Sequence, residues 1–269
     1  MVLVGVMAMA YPADDASWRI HFLIGASPAI LTLLIRFFVP ESEKWERSAA
    51  REAGTPRRSK LGEVFGPELR RPTLIGILMV SVVFVGTWGA VQWIPLWVGE
   101  LAGTANPRAK ALAMVIVSTG ACLSTVLAPL LLASLPRRLG YQLLCLLALA
   151  ATAWIYRTPA EWSGELFLGL MPGLMAAKIF VLGMAATAFF GFFPLYLPEL
   201  FPTRVRATGQ GVCYNTGRLV AVPFVLLSGK LVETLGGFQQ AAAAITLVYA
   251  AGLFVAFFAR ETAGQALQD

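Results

Sequence analysis

The chain has 269 residues, of which 58% are hydrophobic and only 13% charged, and its mean hydropathy is +0.71. A soluble domain carries roughly 25% charged residues, so the composition excludes a water-soluble globular fold and implies an integral membrane protein. The net charge of +6 gathers in the breaks between apolar runs instead of forming a basic face, so nucleic acid is not an expected partner. In chain order, the stretch 1–10 comes first; at the helical rise it covers about 15 Å, half of a hydrocarbon core. It has no basic opening of the signal-peptide kind, so the expectation is a chain that continues upstream. Apolar runs near the length of about 20 residues that a span requires follow at 18–39, 73–98, 109–135, 139–155, 166–197, 207–232 and 238–259.

The cations fix an orientation for these seven spans. Lys44, Arg47, Arg51, Arg57, Arg58, Lys60, Arg70 and Arg71 follow the first; Arg137 and Arg138, Arg204 and Arg206, and Arg260 fall in later breaks on the same side. The opposite breaks carry Asp14, Asp15, Glu100, Glu161 and Glu165 with fewer cations. By the positive-inside rule the first side, and with it the C-terminus, is cytoplasmic. The expected location is a cell (inner or plasma) membrane, with a multi-pass chain in the lipid bilayer.

One break is unusually dense: PELFPTRVRATG (198–209) places two prolines, a carboxylate and two guanidiniums between apolar spans. Proline lacks the donor that a helix interior needs, so Pro198 and Pro202 end one helix and shape the turn. Thr203 or Thr208 is a candidate cap for the next helix. Glu199 is expected to pair with Arg204, Arg206 or Arg138, or all four charges are solvated topology anchors.

The stretch resembles the PE-x-FP-x-x-x-R-x-x-G signature between the tenth and eleventh helices of major facilitator superfamily transporters, especially sugar porters and organic-solute:proton symporters. VPESEKW (39–45) is similar to the motif after their sixth helix and RETAG (260–264) to their C-terminal motif. LPRRLGYQ (135–142) lies where their D-R-x-G-R-R loop recurs, with Arg137 in place of the acid and Tyr141 and Gln142 in place of the last basic pair. The resemblance implies an all-α polytopic membrane protein with a partial major facilitator fold. Residues 1–39 would be the end of an N-terminal half (part of helix five, and helix six), 40–72 a basic cytoplasmic loop, 73–259 a C-terminal six-helix half and 260–269 a cytoplasmic tail. Helices one to four would be missing. In such proteins solute binds near the midplane between two halves that rock against each other, so this part supplies one wall. The resemblance also makes Arg138, Glu199, Arg204 and Arg206 candidates for a cytoplasmic gate.

Within the span 207–232, Gln210, Tyr214 and Arg218 recur every four residues on one helix face, with Asn215 beside them. Arg218 lies about 11 residues and about 16 Å past Ala207, near mid-bilayer. A guanidinium there is costly unless paired or hydrated, so it faces a cavity or binds carbonyls of a neighbouring helix. Trp88 and Gln92, one turn apart, offer a stacking face and a bidentate amide to a small polar solute. These six are the candidate solute-binding residues. Trp93 and Trp97, near the outer end, read as interfacial anchors, and Lys178 reads as a snorkelling cation. Ser118, Cys122 and Thr125 form a weaker stripe, and Gly209, Gly211 and Gly217 read as close-packing positions.

No Asp or Glu falls inside a span, so a proton-coupling carboxylate is expected in the missing half. Cys122, Cys145 and Cys213 lie singly, giving neither a disulfide framework nor a metal site; no cofactor motif is present, and no constellation suits an intramembrane enzyme. The functional expectation is secondary transport of a small polar organic solute by alternating access, coupled to protons. Arg218 leans toward an organic acid, whereas VPESEKW and RETAG lean toward a sugar. The alternative is a half-transporter acting as a non-transporting membrane partner or regulatory module.

Overall fold

The computed structural model describes residues 2–10, 18–38, 59–103, 106, 108–159, 162 and 165–265. The VPESEKW stretch, Asp14, Asp15, Glu161, the cations from Lys44 to Arg58 and residues 266–269 lie outside them, so the expected central loop is described only from Ser59 onward. The helices are α1 (Val2–Ala10), α2 (Trp18–Ala26), α3 (Pro28–Phe38), a short α4 (Lys60–Val64), α5 (Arg70–Ala90), α6 (Ile94–Ala102), α7 (Ala109–Leu132), α8 (Arg137–Arg157), α9 (Gly173–Thr187), α10 (Phe189–Tyr196), α11 (Arg206–Leu226), α12 (Ser228–Leu235), α13 (Phe238–Ile245) and α14 (Val248–Phe258). Turns of 3-10 helix at Val91–Trp93 and Leu197–Leu200 follow α5 and α10. A two-residue antiparallel pair, β1 (Leu166–Phe167) and β2 (Met171–Pro172), is the sole sheet among the described residues. The protein is thus an all-α polytopic membrane fold.

Among the described residues six helical stretches are long and apolar enough to cross a membrane: Trp18–Phe38, Arg70–Ala102, Ala109–Leu132, Arg137–Arg157, Gly173–Leu200 and Phe238–Phe258. The seventh expected span, α11 with α12, has the length but is diluted by Gln210, Asn215, Arg218 and Lys230. One boundary is corrected. The span expected from Leu166 begins as a helix only at Gly173, because the chain reverses at Gly169 (φ +68°) and Pro172 is extended ahead of the first helical turn.

Prolines stand at three of the breaks. Pro95 cannot donate to the carbonyl of Val91, four residues back, and its ring crowds that carbonyl; the α-helix gives way to 3-10 geometry at Val91–Trp93. Pro28 follows the bend at Ser27 between α2 and α3, and Pro194 precedes the passage of α10 into its own 3-10 turn.

Lipid tails are as apolar as leucine, so helices in a bilayer associate through close packing and polar contacts instead of water exclusion. The principal seam, α7 against α9 and α10, follows that rule. A Cβ added at Gly120 would lie 2.5 Å from the Phe180 carbonyl oxygen, and at Gly183 and Gly191 it would lie 2.4 Å from those of Val117 and Thr125. Only glycine admits so close an approach of the two backbones. Across the same seam Ser124 and Thr187 share a buried 3.1 Å hydrogen bond. The second seam sets α11 along α5, with Gly217 against Val80. Between the seams sits an aromatic core of Tyr141, Phe189, Phe192, Phe193, Tyr196 and Tyr249. Trp93 and Trp97, expected at the interface, are buried instead, edge-on to Phe238 and tilted against Tyr156. Outside this bundle α1 lies on α7, and α2 and α3 are exposed along nearly their whole length.

Candidate solute site and the charged end of the bundle

The helical period of α11 sets Gln210, Tyr214 and Arg218 on one face, and α5 and α10 supply what that face meets. The guanidinium carbon of Arg218 lies 5.4 Å from the centroid of the Phe84 ring and 5.3 Å from that of Tyr214. Phe84 is itself packed edge-on against Trp88 at 5.7 Å, Tyr214 at 5.3 Å and Phe190 at 5.7 Å. A cation over ring faces is held by their quadrupoles, worth about 0.5–2 kcal/mol, and its N–H donors stay open. Among the described residues Arg218 has no hydrogen bond or ion pair, and its side chain is exposed.

Beside this cluster a cleft of about 360 Å³ lies between α10 and α11, lined by Phe193, Pro194, Leu197, Gln210, Gly211 and Tyr214. Tyr214 belongs to both: its ring meets Arg218 and it lines the cleft. A Cβ added at Gly211 would meet nothing within 4 Å; this glycine leaves space at the cleft, unlike Gly209 and Gly217, whose added Cβ atoms would clash with Phe201 and Val80. The structure thus gathers Trp88, Gln210, Tyr214 and Arg218. It does not gather Gln92, which is exposed, stands on the 3-10 turn before Pro95 and does not line the cleft. With three residues per turn in that segment, the side chain one α-turn beyond Trp88 is rotated off its face. Asn215 is exposed and its amide nitrogen donates to the Gly211 carbonyl at 2.8 Å.

The charged end is wired differently. Glu199, on the 3-10 turn after α10, pairs with none of Arg138, Arg204 and Arg206. Its partner is Arg137, which is almost fully buried at the start of α8: Nε donates to Oε2 and Nη2 to Oε1, both at 2.9 Å. Nη1 of Arg137 also reaches the carbonyls of Leu132, Ala133 and Leu135 at 2.9–3.3 Å. Leu132 and Ala133 stand at the end of α7, whose last carbonyls lack a helical donor, and Leu135 lies in the turn that follows. The expected partners are engaged elsewhere. Arg138 donates to the Ala259 carbonyl at 2.6 Å, Arg204 binds Glu63 on α4, and Arg206 turns back onto the carbonyls of Pro198 and Phe201. The start of α11 has Val205 as its N-cap and no side-chain cap, so neither Thr203 nor Thr208 serves there.

The tail closes the network. Thr262 donates its hydroxyl to Glu199 at 2.6 Å, and Tyr196 donates to the Arg260 carbonyl at 2.8 Å. Glu261 accepts the backbone N–H groups of Arg137 at 2.8 Å and Arg138 at 3.2 Å, capping α8. Burial by itself would raise the Glu261 carboxyl, but the backbone donors of Arg137, Ala263, Arg138 and Thr262 outweigh it and hold the group below the usual carboxylate range. Tyr141, in the place of a basic family residue, is fully buried and donates to the Met79 carbonyl at 2.9 Å; a charge could not occupy that position without a partner. At the far end of α8, the Thr158 hydroxyl accepts a 2.7 Å hydrogen bond from Lys178 of α9, which is buried instead of reaching outward.

A polytopic all-α membrane bundle, with an arginine held on aromatic rings beside a partly polar cleft, defines the class of protein. Residues 1–224 match the sequence model of the Major Facilitator Superfamily, and the chain belongs to that family. It is 28% identical over 268 residues to the Probable 4-methylmuconolactone transporter of Cupriavidus pinatubonensis, covering 100% of this chain and 59% of that protein. It is 25% identical over 228 residues to the cis,cis-muconate transport protein of Acinetobacter baylyi, covering 81% and 51% of the two chains. It is also 25% identical over 224 residues to the 3-(3-hydroxy-phenyl)propionate transporter of Escherichia coli, covering 83% and 51%. The chain therefore spans about half the length of the curated relatives it matches.

Proposed function

We propose that this chain forms one wall of a secondary transporter that carries a small organic anion across the membrane by alternating access, with Arg218 as counter-charge to the solute. The observation that carries the reading is the guanidinium of Arg218, seated over Phe84 and Tyr214 with no carboxylate or carbonyl partner among the described residues, beside a cleft of about 360 Å³. An arginine in a membrane helix is expensive unless it serves a pathway. Its planar donor fork matches a carboxylate, and the rings of Trp88 and Tyr214 suit a flat unsaturated body. Muconate and phenylpropionate, named for two of the relatives, are carboxylates; that supports an organic acid over a sugar.

In this reading residues 73–259 are the C-terminal half, 1–39 belong to the other half, 40–72 connect them, and a second half, joined to this chain or separate, supplies the facing wall. Gln210 and Tyr214 orient the solute. The end of the bundle carrying Arg138, Glu199, Arg204 and Arg206 faces the cytoplasm, as does the tail from 260 to 269, and the Arg137–Glu199 pair is the fixed element against which that end opens. Described carboxylates lie near helix ends or in turns, so the proton of a coupled cycle is assigned to a carboxylate beyond these spans.

The test is uptake of labelled cis,cis-muconate and 3-(3-hydroxyphenyl)propionate, with glucose as the neutral comparison, in cells lacking their own carriers and expressing the gene as its host encodes it. Arg218→Gln is expected to lower kcat/KM for the acids by about 10- to 100-fold, the worth of one hydrogen bond to a charged group. Unchanged uptake of both acids in Arg218→Gln and Gln210→Ala sinks the assignment.

A further inference from the structure

A second cavity, about 450 Å³, lies between the beginning of α5 and the end of α14, far from Arg218 in sequence on both helices. Its walls include Leu74, Leu78, Phe254 and Phe258, each more than half exposed, and Arg70 and Arg71 stand at its mouth. Both arginines are exposed and neither has a hydrogen bond or ion pair among the described residues. Glu68, the nearest carboxylate in sequence, pairs with neither. The two cations also occupy the first turn of α5, where the helix dipole is positive and disfavours them. Two unneutralised guanidiniums at the polar rim of an apolar furrow complement an anionic head on an apolar tail.

We infer that the groove between α5 and α14 binds an anionic phospholipid, its phosphate between Arg70 and Arg71 and an acyl chain along Leu74, Leu78, Phe254 and Phe258. The headgroup level is the bundle end that also holds Arg137, Arg204 and Arg260, where juxtamembrane cations meet lipid phosphates. The inference rests on the membrane fold and not on the solute carried, so it stands or falls separately from Arg218.

The test uses the whole chain purified in detergent and titrated with dioleoylphosphatidylglycerol or dioleoylphosphatidylcholine, which share acyl chains and differ in charge, with bound lipid counted by native mass spectrometry. The anionic lipid is expected to bind about tenfold or more tightly than the zwitterionic one. Arg70→Gln with Arg71→Gln removes that preference and leaves phosphatidylcholine binding as it was. Leu78→Trp, which fills the furrow, weakens both lipids, and Arg157→Gln, at the opposite end of the bundle, changes neither. Glycerol 3-phosphate, a phosphate without tails, does not displace the lipid. A preference that survives the double substitution, displacement by glycerol 3-phosphate at concentrations matching the lipid, or an equal loss in Arg157→Gln overturns the site. A thermal midpoint for each variant guards against misfolding. If the double glutamine variant is unstable, Arg70→Lys with Arg71→Lys replaces it and must retain the preference.

Discussion

Two arginines in this chain are read by their surroundings. Arg137, nearly buried at the start of α8, directs its side chain at the Glu199 carboxylate and the terminal carbonyls of α7. Arg218, exposed midway along α11, makes two ring contacts and no hydrogen bond among the described residues. Arg137 is thus a structural cation, because its partners are supplied by the fold and removing any of them strands a buried charge. Arg218 rests on π faces that leave its donors without a protein partner among the described residues. Under the proposed function, rigidity at one end and recognition in the middle fall to two different arginines.

The sharpest way to break that comparison is to neutralise each side. Glu199→Gln removes the counter-charge of Arg137 and leaves it the backbone carbonyls alone; for a partly buried pair the cost is about 1.5–3 kcal/mol, the worth of hydrogen bonds to a charged group, and the expected result is a lower thermal midpoint in detergent. Arg218→Gln is expected to leave the midpoint nearly unchanged, since an exposed cation over two rings contributes about 0.5–1 kcal/mol, while solute affinity falls by about 10- to 100-fold. If the two substitutions destabilise equally, Arg218 is structural too and the division fails. Arg218→Lys sharpens it further: the charge stays and the planar fork goes, so a carboxylate cargo is expected to lose part of its affinity, whereas a site needing only a point charge would not respond.

What could be read from the sequence follows the range of the interactions. Gln210, Tyr214 and Arg218 share a face because the helical period is local, and the structure keeps them together. Gln92 stands off its expected face for an equally local reason, Pro95 four residues beyond Val91, a signal that the sequence itself carries. Arg137 was not legible as a partner. Read as a degraded family position, it meets Glu199 only because α8, the turn after α10 and the tail converge from positions 62 and 124 residues apart. Trp93 and Trp97 are interior for a similarly long-range reason: a tryptophan near a span's end suits both the interface and the bundle interior, and only the neighbours Phe238 and Tyr156 decide.

The seam between α7 and α9 offers an intermediate test, since its closeness rests on backbone meeting backbone. Gly183→Ala places a methyl where the Val117 oxygen lies 2.4 Å away, and relieving such overpacking costs typically 1–3 kcal/mol. Gly211→Ala adds the same methyl where nothing lies within 4 Å; it is expected to spare stability and to narrow the cleft, raising KM. The reverse pattern would place the cleft at the wrong glycine.

The smallest effect concerns the tail. Docked against α8, the Glu261 carboxyl lies below its usual range because the backbone donors it accepts outweigh its burial. A depressed group binds fewer protons in the docked state than in the free one, so docking is favoured at pH values above the free carboxyl's pKa. Its contribution is lost as pH falls through the docked value. Hydrogen exchange at Ala263, whose amide donates to Glu261 at 3.1 Å, reports this directly: protection is expected to hold at neutral pH and to fall below the ordinary carboxylate range. Glu261→Gln keeps the side-chain shape and one acceptor, so it is expected to abolish the pH dependence and retain part of the protection. A pH response persisting in that variant would show that Glu261 is not the group whose protonation releases the tail.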